Sequence, residues 1–179
     1  GISILKNLKD EYNLIPAEHL KILENYIEKI EMIGSNLEEP SHYDRKKKIL
    51  YLRNDFIPGE MVHEMGHALE TVLDLVHNED YLKVLENGLS NITPEDVILD
   101  KENFVKDIKR ISNKKFISIY QGMIYPKDSE GNKPFGADGK FNIKVLGEYF
   151  SEGYREYLQN PNNLKEKDPK LYEFIESNL

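Results

Sequence analysis

The chain has 179 residues, of which 39% are hydrophobic and 31% are charged, so it is long enough to bury the core of one globular domain. It contains no cysteine, which excludes disulfides and thiolate metal sites, and no apolar run approaches the ~18 residues of a membrane span. The formal net charge of −8, from 32 acidic and 24 basic residues, argues against nucleic acid as a partner.

The expected organisation is one domain over residues 1–179. The chain begins at Gly1 without an initiator methionine, which is compatible with a processed chain, a domain excised from a longer polypeptide or a cleavage scar. No pattern in the sequence indicates the oligomeric state.

The first part of the chain is predicted to form a helix, a small sheet and a second helix. Apolar residues at helical spacing predict an amphipathic helix over 17–33. The short apolar segment 48–53 predicts a strand, and we expect 41–44 to pair with it. The basic run at 45–48 is interpreted as a solvated strand edge rather than a binding patch. A proline that suits a first helical turn then precedes a helix predicted over 59–77.

The second part of the chain is predicted to be mainly helical. Short helices are expected over 80–87 and 102–111, whereas 116–120 alternates like a strand, although a helix also fits. Residues 126–140 are rich in glycine and proline and predict a long loop, either a lid over a site or an exposed hairpin.

Two helices, over 143–159 and 168–177, are expected to close the chain, with a break at 160–163. Few strands and many helices together predict an α+β fold that is mostly α.

The segment from His63 to His67 reads His-Glu-Met-Gly-His. On a helix the two histidines lie one turn apart on the same face, a separation at which both imidazoles can bind one zinc ion at ~2.0–2.1 Å. Glu64 lies about 100° round the helix, where its carboxylate can act as general base toward water that the ion activates. The alternative is a helix that carries two histidines by chance.

The side chains of this predicted helix divide into two faces, which supports the zinc interpretation. The apolar face consists of Val62, Met65, Leu69, Val72 and Val76. The ligand-type face consists of His63, His67, Glu70 and Asp74. Gly66 costs up to ~1 kcal/mol inside a helix, so we interpret it as a point of close approach by another backbone or by a substrate.

A third ligand for the ion is expected from another helix. The metzincin pattern is excluded, because Glu70 and Leu73 stand where it needs glycine and histidine. Asp74 lies about 10 Å along the helix axis from His67, too far to share one ion. Glu70 is nearer and suits the orientation of a ligand better than coordination.

Glu148 is the best third ligand, with Glu152 one helical turn beyond it. Two glutamates at this spacing repel each other unless a cation lies near them. A zinc ion bound by Glu148, with Glu152 accepting the N–H of a ligating histidine, resolves that repulsion. The alternative is a solvated acidic face that Arg155 partly neutralises.

These motifs, with a closing helical segment at 171–175, are similar to those of the anthrax lethal factor-type metallopeptidases. That family includes the lethal factor catalytic domain and the secreted proline-proline endopeptidases of clostridia. The resemblance is clearest over 59–179, and it implies a zincin-like fold and a single catalytic Zn²⁺. It also implies a secreted or delivered bacterial protein, such as a toxin, rather than a cytoplasmic one. By resemblance, His63, His67 and Glu148 are the ligands, Glu64 is the base and Glu152 supports a ligating histidine.

The chain departs from the family's pattern in two ways. The spacing between its two motifs is long, with 126–140 looking like an insertion, and a tyrosine of the family is replaced. The family carries a tyrosine seven residues before its ligand glutamate, where it is thought to steady the oxyanion, and here that position is Phe141. Phenylalanine cannot donate a hydrogen bond, and the loss of one such donor costs ~3 kcal/mol of barrier. A displaced tyrosine, Tyr120 or Tyr125, is the alternative donor.

We therefore expect a zinc metalloendopeptidase that acts on a protein or peptide lying extended along an edge strand, with 48–53 as that strand. Three rivals stay open. One is a catalytically weak zincin domain used as a partner-binding or toxin module. Another is a peptidase domain within a phage or secretion-system structural polypeptide. The third is a different metal hydrolase with the same ligands.

Overall fold

The structure, a computed structural model, describes residues 2–36, 39–100 and 108–179. Within them the fold is α+β and mostly helical, as predicted. The helices are α1 (Ile2–Leu14), α2 (Ala17–Leu23), α3 (Glu60–Val72), α4 (Glu79–Glu86), α5 (Tyr149–Gln159), α6 (Pro161–Lys167) and α7 (Pro169–Asn178). The strands are β1 (Lys29–Ile33), β2 (His42–Asp44), β3 (Ile49–Arg53), β4 (Val97–Asp100) and β5 (Ile108–Ile111).

The main sheet has the strand order β1-β3-β2, with β1 parallel and β2 antiparallel to β3. The predicted pairing of 41–44 with 48–53 is confirmed. The helix predicted over 17–33 is wrong beyond Leu23, because Lys29–Ile33 forms β1 and bonds to a strand 20 residues further on. The expectation that 48–53 offers a free edge to a substrate is also wrong, since β3 is central and β2 is an edge strand.

Helix α3 confirms the helix predicted over 59–77 only as far as Val72. Asp74 adopts a left-handed conformation (φ 46°), which ends the helix and leads into a 3₁₀ turn at Leu75–His77. The predicted apolar face is buried at Val62, Met65 and Leu69, which lie in the core.

The middle of the chain differs most from expectation. The helix predicted over 80–87 is confirmed as α4. The helix predicted over 102–111 is wrong at Ile108–Ile111, which pairs with β4 as β5, and residues 102–107 lie outside the described residues. Residues 116–120 form turns, neither strand nor helix, because the buried Gln121 side chain accepts from Ile117 N and donates to Tyr149 O. Residues 126–140 form no helix or strand, which confirms the predicted loop.

The end of the chain holds three helices where two were predicted. Residues 143–145 form a 3₁₀ turn, and α5 begins only at Tyr149. Part of the predicted break at 160–163 is instead the start of α6, with Pro161 in its first turn. The helix predicted over 168–177 is confirmed as α7, capped by the Asp168 side chain, which accepts from Leu171 N.

Helices α3 and α5 pack face to face in the core, with α7 behind α5. Gly66 makes this packing close, because a Cβ at that position would lie 2.8 Å from Ser151 Cα. The predicted close approach at Gly66 is thus confirmed. None of the helices in the described ranges is both long and apolar enough to cross a bilayer.

Candidate metal centre

The α3 residues that face the cleft form one stripe. Glu60, His63, His67 and Glu70 follow each other at steps of three or four residues, so they lie on the same side of the helix. The two imidazole rings lie 5.1 Å apart between centroids and stand almost perpendicular, at 82°. Both rings therefore point out of the helix toward a common region.

Glu148, which immediately precedes α5, meets the two histidines there. Its Oε2 lies 2.7 Å from His67 Nε2 and 3.6 Å from His63 Nε2. One potential ligand atom from each of the three residues lies within 4.8 Å of the others. The structure thus brings together the three residues expected as ligands, although Glu148 is separated from the histidine motif by more than 80 residues.

The outer nitrogen of each histidine faces its own carboxylate. His63 Nδ1 lies 2.8 Å from Glu152 Oε2, and His67 Nδ1 lies 3.2 Å from Glu70 Oε2. A carboxylate at Nδ1 favours a proton on that nitrogen, which leaves the lone pair of Nε2 for an ion. Glu152 and Glu70 therefore lie where the sequence interpretation expected carboxylates that orient the histidines.

Glu152 is held by residues of two other segments. Its Oε1 accepts a hydrogen bond from Ser118 Oγ at 2.7 Å, and its Oε2 accepts one from Arg155 Nε at 2.8 Å. Ser118 was not predicted, because nothing in its local sequence indicates that its loop reaches α5. Arg155 partly neutralises Glu152, as the alternative interpretation expected, but the carboxylate is 5% exposed and faces His63 rather than solvent.

Ser151 lies beneath the group of ligand atoms. Its Oγ is 3.4 Å from the Nε2 atoms of both histidines and 3.3 Å from Glu148 Oε2. The same residue is the point at which α5 comes closest to Gly66 of α3.

Glu64 is enclosed beside the ligands without joining them. It is 8% exposed, and its Oε1 lies 4.0 Å from His63 Nε2. Burial raises the pKa of Glu64 to about 7, with His67 and His63 opposing the shift. The carboxylate has the placement that the sequence predicted for a general base.

The charges of the site are strongly coupled. Burial lowers the pKa of His63, but hydrogen bonds with Glu148 and Glu152 outweigh it and raise that pKa to about 9. Burial raises the pKa of Glu148, and the two histidines outweigh it and hold that pKa well below its usual range. The carboxylates and the imidazoles thus favour each other's charged forms.

Of the two alternative tyrosines, Tyr125 contacts Glu148. Tyr125 donates a hydrogen bond from its hydroxyl to Glu148 Oε1 at 2.7 Å, and its ring lies against Gly147, where a Cβ would be 2.5 Å from a ring atom. Tyr120 is 43% exposed and lines a cavity beside His63. Phe141 is buried against Phe135, with ring centroids 5.5 Å apart.

Two cavities flank the ligand group. One, of about 450 Å³, lies at His63 and is bordered by Ile57, Pro58 and Tyr120. The other, of about 300 Å³, lies at His67 and is lined both by leucines, such as Leu85 and Leu146, and by charged residues, such as Arg45 and Lys144. A chain lying across the site could place side chains in both.

Comparisons with models of protein families and with curated proteins found no match. The resemblance to lethal factor-type metallopeptidases therefore stays a hypothesis that depends on the residues of this chain alone.

Proposed function

We propose that the chain is a zinc-dependent endopeptidase of the zincin type. His63, His67 and Glu148 would hold the ion, and Glu64 would act as general base. The observation that carries the proposal is the convergence of Glu148 on the two histidines of α3, with a separate carboxylate at the outer nitrogen of each ring.

The donor set fits zinc better than calcium or magnesium. Two imidazole nitrogens and one carboxylate oxygen are typical of catalytic zinc sites, whereas calcium and magnesium take oxygen ligands. The ligand atoms lie within 4.8 Å of one another, of the order of twice a zinc–ligand bond of about 2.1 Å. The ligand side chains are also 15 to 18% exposed, so a substrate can reach the site from the cleft.

A zinc ion held by His63, His67 and Glu148 would polarise the scissile carbonyl and make water more acidic. Glu64 then takes a proton from the attacking water and delivers it to the leaving amine, so no covalent intermediate with the enzyme is needed. The enclosed carboxylate lies beside the ligands rather than among them, which leaves it free for both transfers.

Tyr125 is the favoured donor to developing negative charge. Its hydroxyl already lies in the site, 2.7 Å from the Glu148 oxygen that faces away from the histidines. Tyr120, at the His63 side of the cleft, is the second candidate. In either case a tyrosine from another segment would supply the hydrogen bond to the oxyanion that Phe141 cannot donate.

The substrate is expected to lie extended along β2, not β3. Among the described strands, β2 pairs only with β3. It lies along α3 beside the stripe of Glu60, His63, His67 and Glu70, here called the ligand stripe. Main-chain hydrogen bonds to such an edge would hold a peptide across the ligand group. The leucines that line the cavity at His67 would contact the apolar part of a substrate side chain, and the charged residues Arg45 and Lys144 would contact a polar part.

Digestion of a library of unstructured peptides by the zinc-loaded chain tests the proposal. We expect cleavage that a chelator abolishes, and a Glu64→Gln variant that retains zinc but cleaves about 10²–10⁴-fold more slowly. The exposed Glu166→Gln on α6 is the matched control and should cleave like the wild type. A wild-type chain that holds zinc but cleaves no peptide would instead support a binding or structural module.

A further inference from the structure

The residues that flank β2 donate hydrogen bonds to both ends of the ligand stripe of α3. Ser41 Oγ, just before the strand, donates to Glu60 Oε2 at 2.5 Å, and Arg45 Nη2, just after it, donates to Glu70 Oε2 at 3.1 Å. The ten-residue step from Glu60 to Glu70 spans about 15 Å of helix, and the four-residue step from Ser41 to Arg45 spans about 13 Å of strand. The strand and the stripe therefore run side by side over the same length.

The contact of Arg45 with Glu70 is connected to His67, one of the proposed ligands. The Glu70 oxygen that accepts from Arg45 is also the oxygen that faces His67 Nδ1, at 3.2 Å. The Glu70 side chain is only 13% exposed, whereas Arg45 is 52% exposed. Arg45 pairs with the same Glu70 oxygen that faces His67, so it helps to fix which way Glu70 Oε2 points.

We infer that Arg45 is a positioning residue that acts through Glu70 to hold the His67 ring in the orientation that binds metal. The inference rests on the proposed function. The contact also connects the proposed metal centre to β2, the edge strand expected to hold a substrate, because Arg45 directly follows that strand. The basic run at 45–48, expected to be a solvated edge, thus contains one residue with a defined role.

A purely structural role for Arg45 predicts a different result from a positioning role. Because the Arg45 side chain is half exposed, its ion pair should add little to folding, and Arg45→Ala should leave the thermal unfolding of the metal-free chain nearly unchanged. Its zinc affinity should nevertheless fall, because groups that orient a ligating histidine typically affect metal affinity by about 10–100-fold.

The test is a double-mutant cycle in zinc affinity, measured by competition with a chromogenic chelator. We expect Glu70→Ala to weaken zinc binding by about 10–100-fold and Arg45→Ala by about 10-fold. In the Glu70→Ala background, Arg45→Ala should add no further loss, because the residue through which it acts is gone. The matched controls are Lys47→Ala, in the same turn as Arg45, and Glu166→Gln.

Each outcome decides the inference. It is overturned if Arg45→Ala binds zinc as tightly as Lys47→Ala, or if the loss persists in the Glu70→Ala background. Should Glu70→Ala fail to fold, Glu70→Gln keeps the side-chain packing and removes the charge, and the same cycle is run with it. A wild-type chain that binds no zinc would refute the proposed function itself, which is a separate result.

Discussion

Gly66 and Ser151 lie in direct contact where α3 crosses α5, with room for no side chain at position 66. A Cβ there would lie 2.8 Å from Ser151 Cα, a backbone atom that cannot move without moving α5. Since α3 carries both histidines and Glu148 immediately precedes α5, this contact sets the distance across which the three proposed ligands meet.

We predict that Gly66→Ala destabilises the chain and weakens metal binding. Alanine is the better helix former by up to ~1 kcal/mol, but overpacking a tight interface costs about 1–3 kcal/mol and forces the helices apart. Zinc affinity should fall by about 10-fold or more, as when a ligand is misplaced. Gly136→Ala is the control, since its Cβ would meet only the movable side chain of Asp138. Wild-type zinc affinity in Gly66→Ala would contradict the prediction.

Glu11, far from α3 in sequence, caps the start of that helix, and we predict that its removal destabilises the fold. This buried carboxylate on α1 accepts from Gly59 N at 2.9 Å and Met61 N at 3.2 Å, at a helix start that no local side chain caps. Glu11→Ala should lower the free energy of unfolding by about 1–3 kcal/mol, because it leaves buried donors unpaired. Urea unfolding of the metal-free chain measures this. Asp10→Ala, which removes only an exposed pair with Lys6, should cost about 0.5 kcal/mol or less.

His19 is predicted to make stability depend on pH. Burial lowers the pKa of His19 from its usual 6.5, with Glu18 and Glu176 opposing, and Nδ1 lies 2.9 Å from Tyr154 Oη. The unfolded chain therefore gains a proton as the pH falls through about 6.5 while folded His19 stays neutral, so stability is present above that pH and is lost below it.

Unfolding by urea between about pH 5.5 and 7.5 tests this prediction. His19→Gln should lose less stability over that range than the wild type. His77→Gln, at an exposed histidine, should keep the wild-type slope. If His19→Gln and the wild type show equal slopes, the assignment is wrong.

Tyr125 is predicted to matter for turnover more than for folding. Tyr125→Phe keeps the ring against Gly147 but removes the hydrogen bond to Glu148. We expect kcat/KM for peptide cleavage to fall about 10²-fold while zinc stoichiometry stays at the wild-type level. Tyr12→Phe, at an exposed tyrosine on α1, is the control. Undiminished activity in Tyr125→Phe would shift the role to Tyr120.

The sequence predicted which side chains the structure brings together around the two histidines, because the signals there are local. His63 and His67 share a face by helical spacing alone, and Gly66 indicated the close approach that the structure contains at Ser151. Glu148 and Glu152 could be paired with those histidines because their own spacing matches a ligand and a hydrogen-bond acceptor one turn apart.

The wrong predictions fall where distant pairing decides the structure. Apolar residues in 17–33 fit a helix, but all five residues of Lys29–Ile33 instead pair in parallel with β3. Similarly, Ile108–Ile111 is a strand because β4 lies beside it. Arg45 and Glu11 act on α3 across 25 and 50 residues of chain, and no local pattern indicates such contacts.

The metal content of the purified, untagged chain tests the central claim most directly. Elemental analysis after zinc loading and dialysis should find one zinc per wild-type chain and per His77→Ala control. His63→Ala and Glu148→Ala should hold little or none, because each removes a proposed ligand. A wild-type chain without stoichiometric zinc, or a Glu148→Ala variant that retains it fully, would contradict the account.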